Sequence, residues 1–195
     1  MSNDGRMNRL DNPAHDGFIT LKTYLMKKIL IVALIAGVFN SLNACAQQDK
    51  SKRESPPAKV SETISSGATI SIDYSQPSVK GRTIGKEIAP YGEVWRTGAN
   101  EATVFEANKS VKINGKALPA GKYSFYTIPG TDKWTIIFNK TWKQWGTVYK
   151  EDEDVLRVDV KPMKAAATEK MTFDIAKNGK VSLMWGETKV DFTVK

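Results

Sequence analysis

From about Ala68 to Lys195 apolar and polar positions alternate at period two, the pattern of strands that each bury one face. Ala68, Ile70, Ile72 and Tyr74 share one face. The pattern returns at Val111 and Ile113, at Tyr123 and Phe125, and at Trp134, Ile136 and Phe138. Leu156, Val158 and Val160 continue it, as do Met171, Phe173 and Ile175. Val181, Leu183 and Trp185 precede Val190, Phe192 and Val194. Turn signals separate these runs: Asn114-Gly115, Pro119-Ala120-Gly121, Pro129-Gly130, Asn178-Gly179 and Gly186-Glu187. Asn-Gly supplies the positive φ angles of a type I′ hairpin, and a leading Gly suits type II′. Only Ala165–Lys170 offers a short helical turn. About nine strands with short turns predict an all-β, antiparallel fold. One apolar face per strand predicts two facing layers, a β-sandwich with jelly-roll or immunoglobulin-like order left open. A closed barrel is the alternative.

Ahead of this body the pattern changes twice. Ile29–Phe39 is apolar and follows Met26, Lys27 and Lys28. About 11 apolar residues are too few to span a bilayer, and a basic start followed by a short apolar run reads as an export signal. The expected organisation is therefore an extended or non-native n-region over 1–25 and a signal peptide over 26–45. A disordered tether follows over 46–67, and the β-sandwich domain over 68–195. Leu42-Asn43-Ala44-Cys45 resembles the lipobox of bacterial lipoproteins, with Cys45 as the lipidated residue. Ala44-Cys45-Ala46 also fits ordinary signal peptidase, which would leave a soluble periplasmic protein. The tether reading rests on a Gln-, Lys-, Ser-, Glu- and Pro-rich composition that buries too little apolar surface to order.

Composition narrows the chemistry. The chain has 195 residues, one cysteine and one histidine. An intrachain disulfide is excluded. Cleavage of the leader removes His15, so a mature domain would hold no imidazole for Ser-His-Asp catalysis or the commoner zinc sites. No motif calls for a metal or a cofactor. The formal charge of +8 would suggest nucleic acid in a cytosolic protein. Export removes that partner and leaves the membrane, envelope glycans or an envelope protein.

One segment departs from strand patterning: GRTIGKEIAPYGEVWRTGANE, residues 81–101. Its Tyr91, Trp95, Arg96, Asn100 and Glu101 are the candidate ligand-binding residues, joined by Trp145 from the aromatic stretch Thr141–Tyr149. Arg96 would bind an anionic or hydroxylated ligand through its rigid fork, Asn100 and Glu101 would add directional hydrogen bonds, and the rings would stack. The competing reading is a strand corner pinned by an Arg96–Glu101 ion pair, with Trp142 and Trp145 plugging one end of the sandwich. Glu93 and Glu101 are the nearest carboxylates for glycoside hydrolysis, which needs two acids roughly 5–10 Å apart. The acidic run Glu151–Asp154 lacks the spacing of a calcium loop and reads as solvated.

The stretches PYGEVWRTGANEATVFE, KINGKALPAGKYSFYTIPG and WTIIFNK resemble the domain of unknown function 2911 (DUF2911) family of bacterial envelope proteins. The resemblance spans roughly Ile70–Val194. It implies an exported all-β domain, and since the family's activity is undefined it assigns no catalytic residue. The expectation is a lipid-anchored envelope domain that binds a ligand, glycan or protein without catalysis. The alternatives are a glycan hydrolase using a carboxylate pair and a purely structural envelope protein.

Overall fold

The computed structural model describes residues 49–195. Residues 1–25, the expected signal peptide and Cys45 lie outside the described residues. Ten strands make up the described body: β1 (Pro57–Thr63), β2 (Thr69–Ser75), β3 (Val104–Ala107), β4 (Val111–Ile113), β5 (Lys116–Leu118), β6 (Gly121–Ile128), β7 (Trp134–Asn139), β8 (Asp154–Val160), β9 (Pro162–Ile175) and β10 (Lys180–Thr193). Every strand pair is antiparallel. The main sheet has the order β1-β2-β3-β6-β7-β8, and hairpins β9–β10 and β4–β5 form two smaller ones. The fold is a β-sandwich, not a closed barrel. The order left open by the sequence is a meander: from β1 to β8 chain neighbours pair in turn, and within that run β4–β5 leaves the sheet. A Greek key, which needs a strand returning beside the first of four, is absent from this main sheet.

The alternation explains the core. Ile70, Ile72, Phe105, Phe125, Ile136 and Phe138 point from the main sheet into one cluster, where they meet Phe173, Leu183, Phe192 and Val194 of β9, β10 and the chain end. Phe125 stacks on Phe192 at 5.8 Å, and Phe138 meets Phe105 edge-on at 5.0 Å. The main sheet also buries part of its other face. Tyr126 and Ile137 pack there with Ala102, covered by Tyr149. The segments around residues 95–102 and 141–149 therefore lie against a sheet face that would otherwise be wet.

Three expectations are corrected. The tether does not run to residue 67: Lys50–Lys52 forms a 3-10 turn, and β1 pairs with β2 over its full length, Pro57 opposite Ser75 through Thr63 opposite Thr69. Ala165–Lys170 is strand, not a helical turn, because it lies in β9 against β10. Gly186-Glu187 is not a hairpin turn. β10 runs through it with register shifts on both sides of Gly186, which has φ +55°. A straight strand of this length would span roughly 45 Å. β10 instead bends so far that the Val194 N–H, just past its end, donates to the Gly179 carbonyl just before its start (2.8 Å).

Candidate functional site

The 81–101 segment connects β2 to β3 as an irregular loop fixed to both layers. Trp95 and Thr127 exchange backbone hydrogen bonds of 2.8 and 2.9 Å, which fasten the loop beside β6. The Thr97 hydroxyl donates to Thr127 Oγ1 (3.0 Å), and the Thr103 hydroxyl to the Thr97 carbonyl (2.8 Å). Thr97 and Asn100 hold φ values of +49° and +61°. A Cβ on Gly98 would sit 2.7 Å from Thr103 Oγ1, so close packing requires this glycine. The loop then meets the 141–149 segment. The Gly146 N–H donates to the Asn100 carbonyl and the Ala102 N–H to the Gln144 carbonyl, both 3.1 Å.

Arg96 is half-buried between two clefts. One, of about 470 Å³, is lined by Trp95, Arg96, Tyr126, Thr147 and Tyr149. The other, of about 240 Å³, is lined by Lys80, Arg82, Arg96, Trp95 and Trp185, with Glu54 at its wall. The aliphatic part of Arg96 lies over Gly146, where a Cβ would be 2.3 Å from Arg96 Cδ. Its guanidinium has no hydrogen bond or ion pair among the described residues, unlike the other three arginines there. Arg53 binds Glu101, Arg82 donates to the Ser78 and Val79 carbonyls, and Arg157 binds Asp154 and Glu151. All five N–H donors of the Arg96 guanidinium are unused.

The anticipated Arg96–Glu101 pair does not form. Glu101 takes Arg53 Nη1 on both oxygens, at 2.8 and 3.0 Å, and Lys50 Nζ at 3.0 Å. Burial pushes its carboxyl up. Hydrogen bonds from Lys50, its own backbone N–H and Arg53, together with the Lys50 charge, outweigh this and hold it down at about 2. Glu101 is thus a fixed anion that anchors residues 50–55 as a strap. Asn100 serves the same strap, its Nδ2 donating to the Ser55 carbonyl (3.2 Å) and Ser75 Oγ (3.4 Å). Lys80 pairs with Glu54 further along.

The strap carries a pH dependence. The folded value lies below the ordinary 4.5, so the stabilisation is present above about pH 4.5 and is lost as pH falls through about 2. With Glu101 partly exposed, screening limits the effect to about 1 kcal/mol. Glu101→Gln removes the charge at neutral pH and is expected to speed tryptic cleavage after Arg53 about fivefold. An unchanged cleavage rate would show that the pairs do not hold the strap.

The remaining candidates separate. Trp95 lines both clefts, but one face is taken: it stacks on Trp185 at 5.1 Å and meets Trp134 edge-on at 6.4 Å. Tyr91 lies over Gly85 and lines a different cleft, beside Gly130, Trp134 and Met163. Trp145 bridges the backbone of Glu101, yet the residue is 49% exposed and lines none of the main clefts. Trp142, 38% exposed, lies beneath Lys122 Nζ at 5.1 Å. Neither tryptophan plugs the sandwich. Glu93 and Glu101 line no main cleft together, and both Glu101 oxygens are occupied. In the acidic run, Asp154 is bound by Arg157, Tyr149 and Asn139. Among the described residues no group of three His, Cys, Asp or Glu is placed to hold a metal ion.

Other site residues carry no sequence signal of their own. Tyr126 and Tyr149 wall the first cleft with phenols that stay protonated. Burial pushes Tyr126 up, more than hydrogen bonds from Gln144 and Ser124 and the Arg96 charge pull it down. Burial, with the Asp154 hydrogen bond and charge, takes Tyr149 to about 12. Tyr126 donates to the Val148 carbonyl (2.9 Å). Trp185, in the second cleft, keeps its buried Nε1–H without an acceptor. Arg82 reaches the site through the same loop, fourteen positions before Arg96.

No curated protein and no solved structure matches the chain. A family model described as protein of unknown function (DUF2911) matches residues 55–194, from the end of the strap to the end of the body, and the chain belongs to that family.

Proposed function

We propose that the protein is an exported, lipid-anchored domain of the cell envelope that binds an anionic ligand without catalysis, with Arg96 as the cation that receives it. The observation carrying this reading is the unpaired guanidinium of Arg96, half-buried between two clefts, in a domain whose other described arginines are all bonded. Holding a cation partly away from water without a counter-charge is costly, and a ligand anion removes that cost. Lys80 and Arg82 add to the positive lining of one cleft. The basic, apolar and Cys45 sequence of the leader supports export and anchoring. An acidic glycan or an envelope protein presenting a carboxylate are ligands within reach of such a domain.

A charge-assisted hydrogen bond contributes about 1.5–3 kcal/mol. Arg96→Ala is accordingly expected to weaken binding of an anionic ligand by about 10- to 100-fold in calorimetric titration, with Arg96→Lys in between. Affinity indifferent to both substitutions would remove Arg96 from the site. Mass spectrometry of the mature N-terminus should find acylated Cys45, and an unmodified Gln47 start would overturn the anchor.

A further inference from the structure

The clefts at Arg96 do not end there. A third, of about 470 Å³, lies between the 79–84 loop and the middle of the β9–β10 hairpin. It shares Arg82 with the second cleft, and its Gly186, over which Ile84 and Val79 pack, follows Trp185 of the second. The two therefore adjoin at Arg82 on the loop and at the Trp185–Gly186 step of β10. The wall is built rather than incidental. The Val79 N–H donates to the Glu169 carbonyl (2.9 Å), the Lys80 N–H to Glu169 Oε1 (2.9 Å), and the Met171 N–H to the Pro77 carbonyl (3.0 Å).

The chemistry changes along this path. The third cleft is lined by Val79, Ile84, Ala167 and the methyl-bearing Thr83, Thr168 and Thr188, with no aromatic ring on which a sugar could stack. Its two carboxylates are engaged, Glu169 by the Lys80 N–H and Glu187 by Lys164 at 3.5 Å. At the Arg82 end the lining turns cationic. Lys80, Arg82 and Arg96 face Glu54, which Lys80 already pairs. Arg82 uses two of its five donors on Ser78 and Val79 and keeps three.

An aliphatic groove that opens onto two arginines with free donors is complementary to one molecular shape. We infer that the ligand is a single-chain anionic amphiphile, a long-chain alkyl carboxylate, with its carboxylate between Arg82 and Arg96 and its chain along Val79, Ile84 and Gly186. This rests on Arg96 as the anion receptor and adds the class of ligand.

The test is a calorimetric series of straight-chain carboxylates from hexanoate to dodecanoate, each below its micelle concentration, with the protein expressed from its full sequence. Burial of each methylene is expected to raise affinity by up to about fourfold, from about 0.8 kcal/mol per CH₂. Ala167 is an exposed position on β9 within the groove. Ala167→Trp fills the groove and should flatten the series, so that dodecanoate loses its advantage over hexanoate. Ala167→Asp should weaken dodecanoate tenfold or more, and keeps the test open should the tryptophan disturb folding. Arg82→Ala should lower every member by the same factor. Affinity that is independent of chain length but still lost in Arg96→Ala would overturn the amphiphile and keep the anion site. Tighter binding of an oligouronate than of any alkyl carboxylate would do the same in favour of a glycan. Binding indifferent to Arg96→Ala would end both readings.

Discussion

Phe138→Ala is expected to destabilise the domain by about 3–5 kcal/mol, the range for truncating a buried phenylalanine. In a domain of this size that lowers Tm by roughly 10–15 °C. Phe138 is fully buried, and its ring is where the two layers meet. It lies edge-on to Phe105 at 5.0 Å, Phe125 at 5.5 Å and Tyr123 at 6.4 Å within the main sheet, and to Phe192 of β10 at 6.3 Å. Removal leaves a void whose rim belongs to both layers, and neither can close it alone. Phe138→Leu, which fills most of the space, should recover more than half of the loss. Chemical denaturation compares the three proteins. A loss below about 1 kcal/mol for the alanine variant would mean that the layers do not share this core.

The second large effect is expected at Gly179, where the β9–β10 turn meets the end of the chain. Gly179 has φ +83°, and a Cβ there would lie 1.9 Å from the Val194 carbonyl oxygen. Its own carbonyl accepts the Val194 N–H at 2.8 Å. Gly179→Ala therefore meets two penalties, a left-handed backbone and a collision with main chain that no side-chain rotation relieves. The expected cost is about 2–4 kcal/mol, with earlier amide exchange at Lys195 and Val194 than at β6 or β7. Asn178→Ala, one residue away, should cost far less. Equal stabilities for the two variants would contradict the junction described here.

The strands that build the core were legible because their buried faces alternate. β2, β6, β7 and β8 follow Ile70, Phe125, Phe138 and Val158 within a residue or two, and Asn114-Gly115 forms the expected turn with φ +45° and +87°. What escaped the pattern is held by backbone pairing or charge. β1 buries no residue fully and owes its place to its ladder with β2. The first half of β9, Lys-Ala-Ala-Ala-Thr-Glu-Lys, is mostly exposed and helix-favouring, and is held as strand by β10. Tertiary pairing overrides local preference in both. Gly186 reads as a turn because a bulge and a turn ask the same φ of the chain.

The site was legible in part. Arg96 and Trp95 line the clefts, and Asn100 and Glu101 follow in the same loop. Their partners were invisible, since Lys50 and Arg53 come from about fifty residues earlier in a stretch whose composition reads as tether. Proximity in sequence made Arg96 the obvious partner for Glu101. The strap takes that carboxylate instead and thereby leaves Arg96 free. Both Glu101 oxygens are committed to Lys50 and Arg53, and the proposed anion site at Arg96 depends on that commitment.

The most direct measurement of that arrangement is side-chain NMR of the arginine Nε–H groups during titration with dodecanoate. The Arg96 signal is expected to shift and saturate, with Arg82 following, while Arg53 and Arg157 stay in place. An Arg96 signal that never moves, or all arginines drifting together without saturation, would contradict it.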